Sequence, residues 1–148
     1  MSTHAVLLAE DSPEDIRLIL NALRPIIPEA QVATCADGIE ALDYLFARKA
    51  HANRSDDDLP GVALIDLNLP KINGLEVLRE LRGNPRTRLL PVVILSASSE
   101  QRDVRAAALL GANSYVCKPI DYGRLRETVE LLGHYWLDLN VPPPAPVS

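Results

Sequence analysis

Five short apolar runs, Ala5 to Ala9, Gln31 to Cys35, Val62 to Ile65, Val92 to Leu95 and Ser114 to Cys117, recur along this chain, each followed by a segment of helix length. Runs of this size, rich in Val, Ile and Leu, read as strands, and four are apolar enough to be buried on both faces. The intervening segments repeat apolar residues at helical spacing. Ile16, Ile19, Leu20 and Leu23 stand behind the helix-start signal Ser12-Pro13-Glu14, and Ala41, Leu42 and Leu45 follow Asp37-Gly38. Leu75, Leu78 and Leu81 follow Asn73-Gly74; Val104, Ala107, Ala108 and Leu110 run up to Gly111; Leu125, Val129, Leu132 and Trp136 form the last set. Strand then helix, five times, predicts an α/β fold with right-handed crossovers and a mainly parallel sheet covered by helices on both faces. Parallel strands point one way, so the residues that end them collect along one edge, where ligand chemistry in such sheets belongs.

What ends the runs is therefore informative. Glu10-Asp11, Asp66, Ser96 and Lys118 each close a run, and only the Cys35 run lacks a residue suited to phosphate chemistry. If the first and third strands are neighbours, Glu10, Asp11 and Asp66 share one shallow site, which costs energy unless positive charge sits there. Lys118 supplies one charge, and a hard divalent cation such as Mg²⁺ or Mn²⁺, which prefers oxygen ligands, supplies two. Such a site is poised to accept one more anionic group. Asp66 is the candidate acceptor, because a carboxylate can attack phosphorus to give an aspartyl phosphate. Asp11 then holds the metal, Glu10 acts through its water, and Lys118 with the Ser96 hydroxyl binds phosphoryl oxygens.

The bulk properties narrow the partners. A chain of 148 residues with 47% hydrophobic residues can bury one core, and a net charge of −5 offers no field for nucleic acid. No run approaches the roughly 20 residues of a membrane span. The N-terminus lacks a leader's basic flank, and Cys35 and Cys117 are too few to staple the domain, so a reduced, cytoplasmic protein is expected. Residues 1–136 form the expected domain, with 137–148, holding four prolines, as a tail or arm. The stretch His51 to Pro60, with Asp56, Asp57 and Asp58, reads as an exposed polar loop. His4, His51 and His134 show no ligand spacing.

LLAED, LIDLNLPKINGLEVL, VVILSAS and SYVCKP, four motifs in order over about residues 5 to 135, resemble the receiver domain of two-component response regulators. The resemblance implies a flavodoxin-like (βα)5 sheet of order 2-1-3-4-5 and phosphorylation of Asp66 by a histidine kinase. It also implies a cation on Asp11, Asp66 and the backbone carbonyl of Asn68, and Ser96 with Tyr115 as a switch pair. The output would be a changed surface for a downstream phosphotransfer or effector protein. Asn73 stands where many receivers carry Asp, and Ser96 replaces the equally usual Thr. The long connection RKAHANRSDDDLPGVALIDLNLPK and the ending HYWLDLNVPPP resemble small receivers that partner phytochrome-type histidine kinases and dimerise through the segment after the fifth helix. That makes residues 134 to 146 a candidate dimer arm, with no output domain expected beyond it.

Plainer readings stand beside these. A strand-terminal Asp is often a helix cap, and Lys118-Pro119 alone could mark a strand exit; the constellation, not either residue, carries the functional reading. Tyr115 can be a packed aromatic. Leu18, with Ala22, falls on the helical face away from the core and becomes a candidate kinase contact. Ile120, Tyr135, Trp136 and Leu137 are candidate partner or dimer residues, although Trp136 is in register with the core face of its helix. Two rivals are other kinds of protein: an aspartyl-nucleophile phosphatase, whose usual second Asp is here Asn68, and a nucleotide binder, for which no glycine-rich loop follows the first strand. A receiver-like module that is never phosphorylated is the third, and the intact acids and Lys118 argue against it.

Overall fold

In the computed structural model, which describes residues 4–55 and 58–144, β1 (Val6–Ala9), β2 (Val32–Cys35), β3 (Val62–Ile65), β4 (Val92–Ser96) and β5 (Ser114–Cys117) form one parallel sheet of order β2-β1-β3-β4-β5. Each strand is followed by a helix: α1 (Pro13–Leu23), α2 (Gly38–Leu45), α3 (Gly74–Arg82), α4 (Gln101–Leu110) and α5 (Tyr122–His134). The expected flavodoxin-like order is the observed one. Alternate strand residues divide between two cores, as a pleated sheet requires. Leu7, Ala9, Ala63, Ile65, Val92 and Ile94 pack under α2, α3 and α4. Val6, Leu8, Val62, Leu64, Val93 and Leu95 pack under α1 and α5.

The helices begin where their sequence signals place them. Ser12 accepts a hydrogen bond from the Asp15 N–H ahead of Pro13, Asp37 accepts from Glu40, and Asp121 from Arg124. Asn73 and Glu76 form a reciprocal capping box on α3. The Asn at this position thus has a structural reason, since its amide oxygen takes the Glu76 N–H at 3.0 Å.

Several expectations are corrected. Three strands, not four, are buried on both faces; Thr34 of β2 is exposed and no residue of β5 is fully buried, because these are the edge strands. Ala22 is fully buried and Leu18 half-buried against the α1/α5 core, because α1 meets the sheet on one side and α5 on another. α4 buries only Ala107, leaving Val104 and Ala108 exposed. The connection before β3 is not simply a solvated loop: Arg54 lies 3.7 Å from the centre of the buried Tyr44 ring and donates to the carbonyls of Tyr44 and Asp58. Asp58 is half-buried, while Asp56 and Asp57 lie outside the described residues. His4 and His51, unrelated in sequence, meet on Tyr44, with His4 Nδ1 2.6 Å from its hydroxyl.

α5 does not run straight through Trp136. It ends at His134 and passes into a turn of π-helix, Tyr135–Leu139, from which the chain leaves extended at Asn140 (φ −69°, ψ 136°). Leu132, Trp136 and Leu137 pack partly against the core, and Pro142 to Pro144 line a cleft of about 610 Å³ with Pro85, Leu89 and Pro91 at the opposite edge of the sheet from Asp66.

This packing has two measurable consequences. A methyl group at Gly74 would sit 2.4 Å from the Asp66 carbonyl oxygen, whereas one at Gly83 would sit 3.5 Å from its nearest atom, Arg79 O. Gly74→Ala is therefore expected to destabilise the fold by about 2 kcal/mol or more, and Gly83→Ala to leave it nearly unchanged, as read from urea unfolding. Burial pushes the Cys35 thiol up to about 12, while Cys117 is exposed at the end of β5. Iodoacetamide at pH 8 should then modify Cys117 and spare Cys35 until the chain is unfolded, which peptide mass mapping would read.

Candidate functional site

β1 and β3 are adjacent and in register, Ala9 opposite Ile65, so Glu10 and Asp66 leave the sheet side by side. The ladder continues one step further, with the Asp66 N–H donating to the Ala9 carbonyl at 2.9 Å. On the other side, β4 and β5 pair Ser96 with Cys117, and the Lys118 N–H donates to the Ser96 carbonyl at 2.7 Å. Four strand ends far apart in sequence thus deliver Glu10, Asp66, Ser96 and Lys118 to one edge.

The Lys118 ammonium is the hub. Its Nζ lies 2.7 Å from Asp66 Oδ2, 2.8 Å from Glu10 Oε1 and 2.9 Å from Asp15 Oδ2. Burial alone would lower its pKa, but the hydrogen bonds to Asp66, Glu10 and Asp15 outweigh that and hold it above the usual lysine range. The Glu10 carboxyl moves the other way from an ordinary carboxylate: burial pushes it up to about 7, against the opposing hydrogen bond from Lys118. The two shifts describe one cluster in which the lysine stays charged and the acids carry excess negative charge. Glu10, only 2% exposed, is the carboxyl least able to bear that excess.

Asp11 is exposed beside them, and carboxylate oxygens of Glu10, Asp11 and Asp66 all lie within 4.8 Å of one another. Three hard oxygen donors with one lysine to balance them fit a divalent cation by donor type and by charge. Asn68 is exposed, and its backbone N–H donates to Asp66 Oδ1 at 2.9 Å, which fixes the orientation of that carboxylate.

Ser96 is fully buried, and its hydroxyl accepts from the Ser98 N–H at 3.1 Å. Tyr115, half-buried on β5, donates its hydroxyl to the Ser98 carbonyl at 2.7 Å. The Ser98 hydroxyl in turn donates to Asp103 at 2.6 Å. Ser96 and Tyr115 are therefore joined through a single residue of the β4–α4 loop.

The partner candidates scatter. Ile120 is 98% exposed next to the site and Tyr135 is 48% exposed, its ring 4.9 Å from that of Trp136. Trp136 and Leu137 are partly committed to the chain's own core, and Leu18 to the α1 side of it. Sequence reading missed Asp15. Its signal was present, an acid one helical turn beyond Asp11 on a helix that starts at the active edge, but acids in a first helical turn are ordinary. Among the described residues, no helix is long and apolar enough to cross a membrane.

Known proteins share this fold. The model of the response regulator receiver domain matches residues 6–130. The probable methanogenesis regulatory protein FilR2 of Methanothrix harundinacea is 38% identical over 93% of this chain and 86% of its own length. Response regulator Rcp1 of Synechocystis is 34% identical over 95% of this chain and 93% of its own. The crystal structure of the Mn²⁺-bound form of Rcp1 superposes with a TM-score of 0.87 at 33% identity, covering 94% of this chain and 98% of that one. The phosphorylated cyanobacterial phytochrome response regulator RcpA also gives 0.87, at 36% identity over 95% and 99%. The chain belongs to the response regulator receiver family and is related within it to the response regulators of phytochrome systems.

Proposed function

We propose that Asp66 is the phosphoacceptor of this receiver, charged by a histidine kinase of phytochrome type in the cytoplasm, and that the chain signals through its surface rather than as an enzyme. The observation that carries the reading is the Asp66 carboxylate itself: nearly buried, oriented by the Asn68 N–H at 2.9 Å and bonded to Lys118 at 2.7 Å. A carboxylate so held presents an oxygen to an incoming phosphorus with little reorganisation. Glu10, Asp11, Asp66 and the Asn68 carbonyl are the proposed cation ligands. A divalent cation such as Mg²⁺ held by these residues would neutralise charge that develops on the phosphoryl oxygens. Lys118 contributes donors to the same oxygens.

The hydrogen-bonded chain Ser96–Ser98–Tyr115 supports the switch reading. A phosphoryl group adds strong acceptor oxygens. If the Ser96 hydroxyl turns to donate to one of them, the loop around Ser98 moves, and the tyrosine hydroxyl loses or shifts its partner. The surface altered in this way includes Val104 of α4, Ile120 and Tyr122, all exposed and apolar enough to receive a downstream protein.

A homodimer is part of the proposal. Leu131, Tyr135 and Leu139 recur every four residues at 71%, 48% and 73% exposure, with Val141 beyond them at 86%. Tyr135, Leu139 and Val141 fall within residues 134 to 146, the expected arm, of which 145 and 146 lie outside the described residues, and Leu131 stands one turn before it on α5. Trp136 and Leu137 instead anchor the arm to the domain, and Leu18 and Ile120 are the proposed contacts with the kinase and other partners.

Acetyl phosphate with Mg²⁺ should add one base-labile phosphoryl group, read by intact mass. EDTA and Asp66→Asn should each abolish it; a singly labelled Asp66→Asn chain would remove Asp66 as acceptor. For the dimer, Leu131→Glu with Leu139→Glu should halve the mass seen by light scattering, and an unchanged mass would exclude the stripe as the interface.

A further inference from the structure

Lysine has three N–H donors. In this chain all three point at carboxylates, at 2.7 Å to Asp66, 2.8 Å to Glu10 and 2.9 Å to Asp15. None is left over for a phosphoryl group, so phosphoryl uptake must redirect at least one.

The three bonds are unequal in how they can be given up. The carboxylate of Asp66 is the reacting group under the proposed function, and any role for its neighbours in phosphoryl uptake rests on that assignment. When acetyl phosphate is the donor, an Asp66 oxygen forms the new O–P bond, the O–P bond to acetate breaks, and acetate leaves with that electron pair. Asp66 then carries no carboxylate charge, and the attached phosphoryl group carries up to two negative charges in its place. Glu10 cannot readily withdraw: it is 2% exposed, and its second oxygen is held by the Ser12 N–H at 3.1 Å. Asp15 is different. Its side chain is 25% exposed on the first turn of α1. It also lies outside the trio Glu10, Asp11 and Asp66, whose oxygens cluster within 4.8 Å. It thus occupies a lysine donor and adds negative charge without joining the set suited to a cation.

We propose that Asp15 is a positioning residue that restrains phosphoryl uptake at Asp66 by holding Lys118 on the α1 side of the site. Two effects combine. A donor of Lys118 is kept from the phosphoryl oxygens, and a carboxylate linked to Asp66 through a single ammonium repels the incoming anion. Both act on an anionic phosphoryl group and neither requires any change in the fold. The backbone N–H of Asp15 caps α1 through Ser12 whatever its side chain, so the helix start survives substitution.

The experiment measures the second-order rate of labelling by acetyl phosphate with Mg²⁺, on the full chain, at low and high ionic strength. Asp15→Asn removes the charge and keeps an acceptor; it should be faster than the parent by roughly threefold to tenfold at low salt, and the gain should shrink as salt screens the site. Asp15→Ala, which also frees the donor, should be at least as fast. Asp15→Glu restores the charge and should return the rate toward that of the parent. An Asp15→Asn rate equal to or below the parent's would overturn the proposal by showing that the carboxylate assists Lys118 or does nothing. A rate for Asp15→Glu as high as for Asp15→Asn would also overturn it, because the effect would then come from side-chain shape. The variant carrying Asp66→Asn together with Asp15→Asn separates the two levels: no labelling is expected, and labelling there would overturn the assignment of Asp66 itself.

Discussion

The contact on which the rest of the site depends is the Lys118 ammonium held among Asp66, Glu10 and Asp15. It joins β1, β3, β5 and α1 at one point, across sequence separations of 52 to 108 residues. Without it, three partly or fully buried carboxylates would face one another in a medium where like charges repel strongly. With it, the cluster still holds three acids against one lysine; burial raises Glu10, with the nearby Asp66 adding to the rise, while the hydrogen bonds from the acids raise Lys118. A structure built only for stability would not leave that excess, since a buried ion pair of this kind gains little over apolar packing. The excess is better understood as room for a divalent cation that the donor set fits.

The sheet makes this cluster possible at low cost in chain length. Parallel order puts all five strand ends on one edge, and the order β2-β1-β3-β4-β5 brings β1 beside β3, the one pairing that the acid cluster requires. The helices then have to come close behind those strand ends. Gly74 starts α3 with its Cα so near the Asp66 carbonyl that no side chain fits, and Gly38 starts α2 equally close to the Ile72 carbonyl. The position of Asp66 is thus fixed from behind by backbone contact as well as from the front by Lys118 and Asn68.

What could be read from the sequence and what could not divides along physical lines. Strand ends, helix caps and the order of apolar runs are local signals with a fixed period, and Asp66, Lys118, Ser96 and the Glu10-Asp11 pair were legible from them. Features that depend on two elements meeting were not. Ala22 and Leu18 looked outward on a helical wheel because the wheel knows only one covered face, whereas α1 is covered by both the sheet and α5. Arg54 looked like part of a solvated loop because its partner, Tyr44, comes from a different element. Asp15 was hidden for the same reason: a first-turn acid explains itself as a helix-dipole partner, and only the arrival of Lys118, 103 residues later, gives it a second role.

The same geometry bears on how a change at Asp66 can travel. Ser96 ends β4 and Tyr115 lies near the start of the neighbouring β5, but they do not need to touch, because Ser98 bonds to both: its N–H donates to the Ser96 hydroxyl and its carbonyl accepts from the Tyr115 hydroxyl. Ser98 also holds Asp103 in the first turn of α4. That helix is lightly attached, with Ala107 its only fully buried residue. A small displacement of one peptide in the loop is therefore coupled to a poorly anchored helix on one side and to an edge-strand tyrosine on the other. Elements of low local stability are the ones a ligand can move, because little packing has to be given up. The inner strands β1, β3 and β4 are buried on both faces, so the parts with least packing to give up on this side are the β4–α4 loop, α4 and β5.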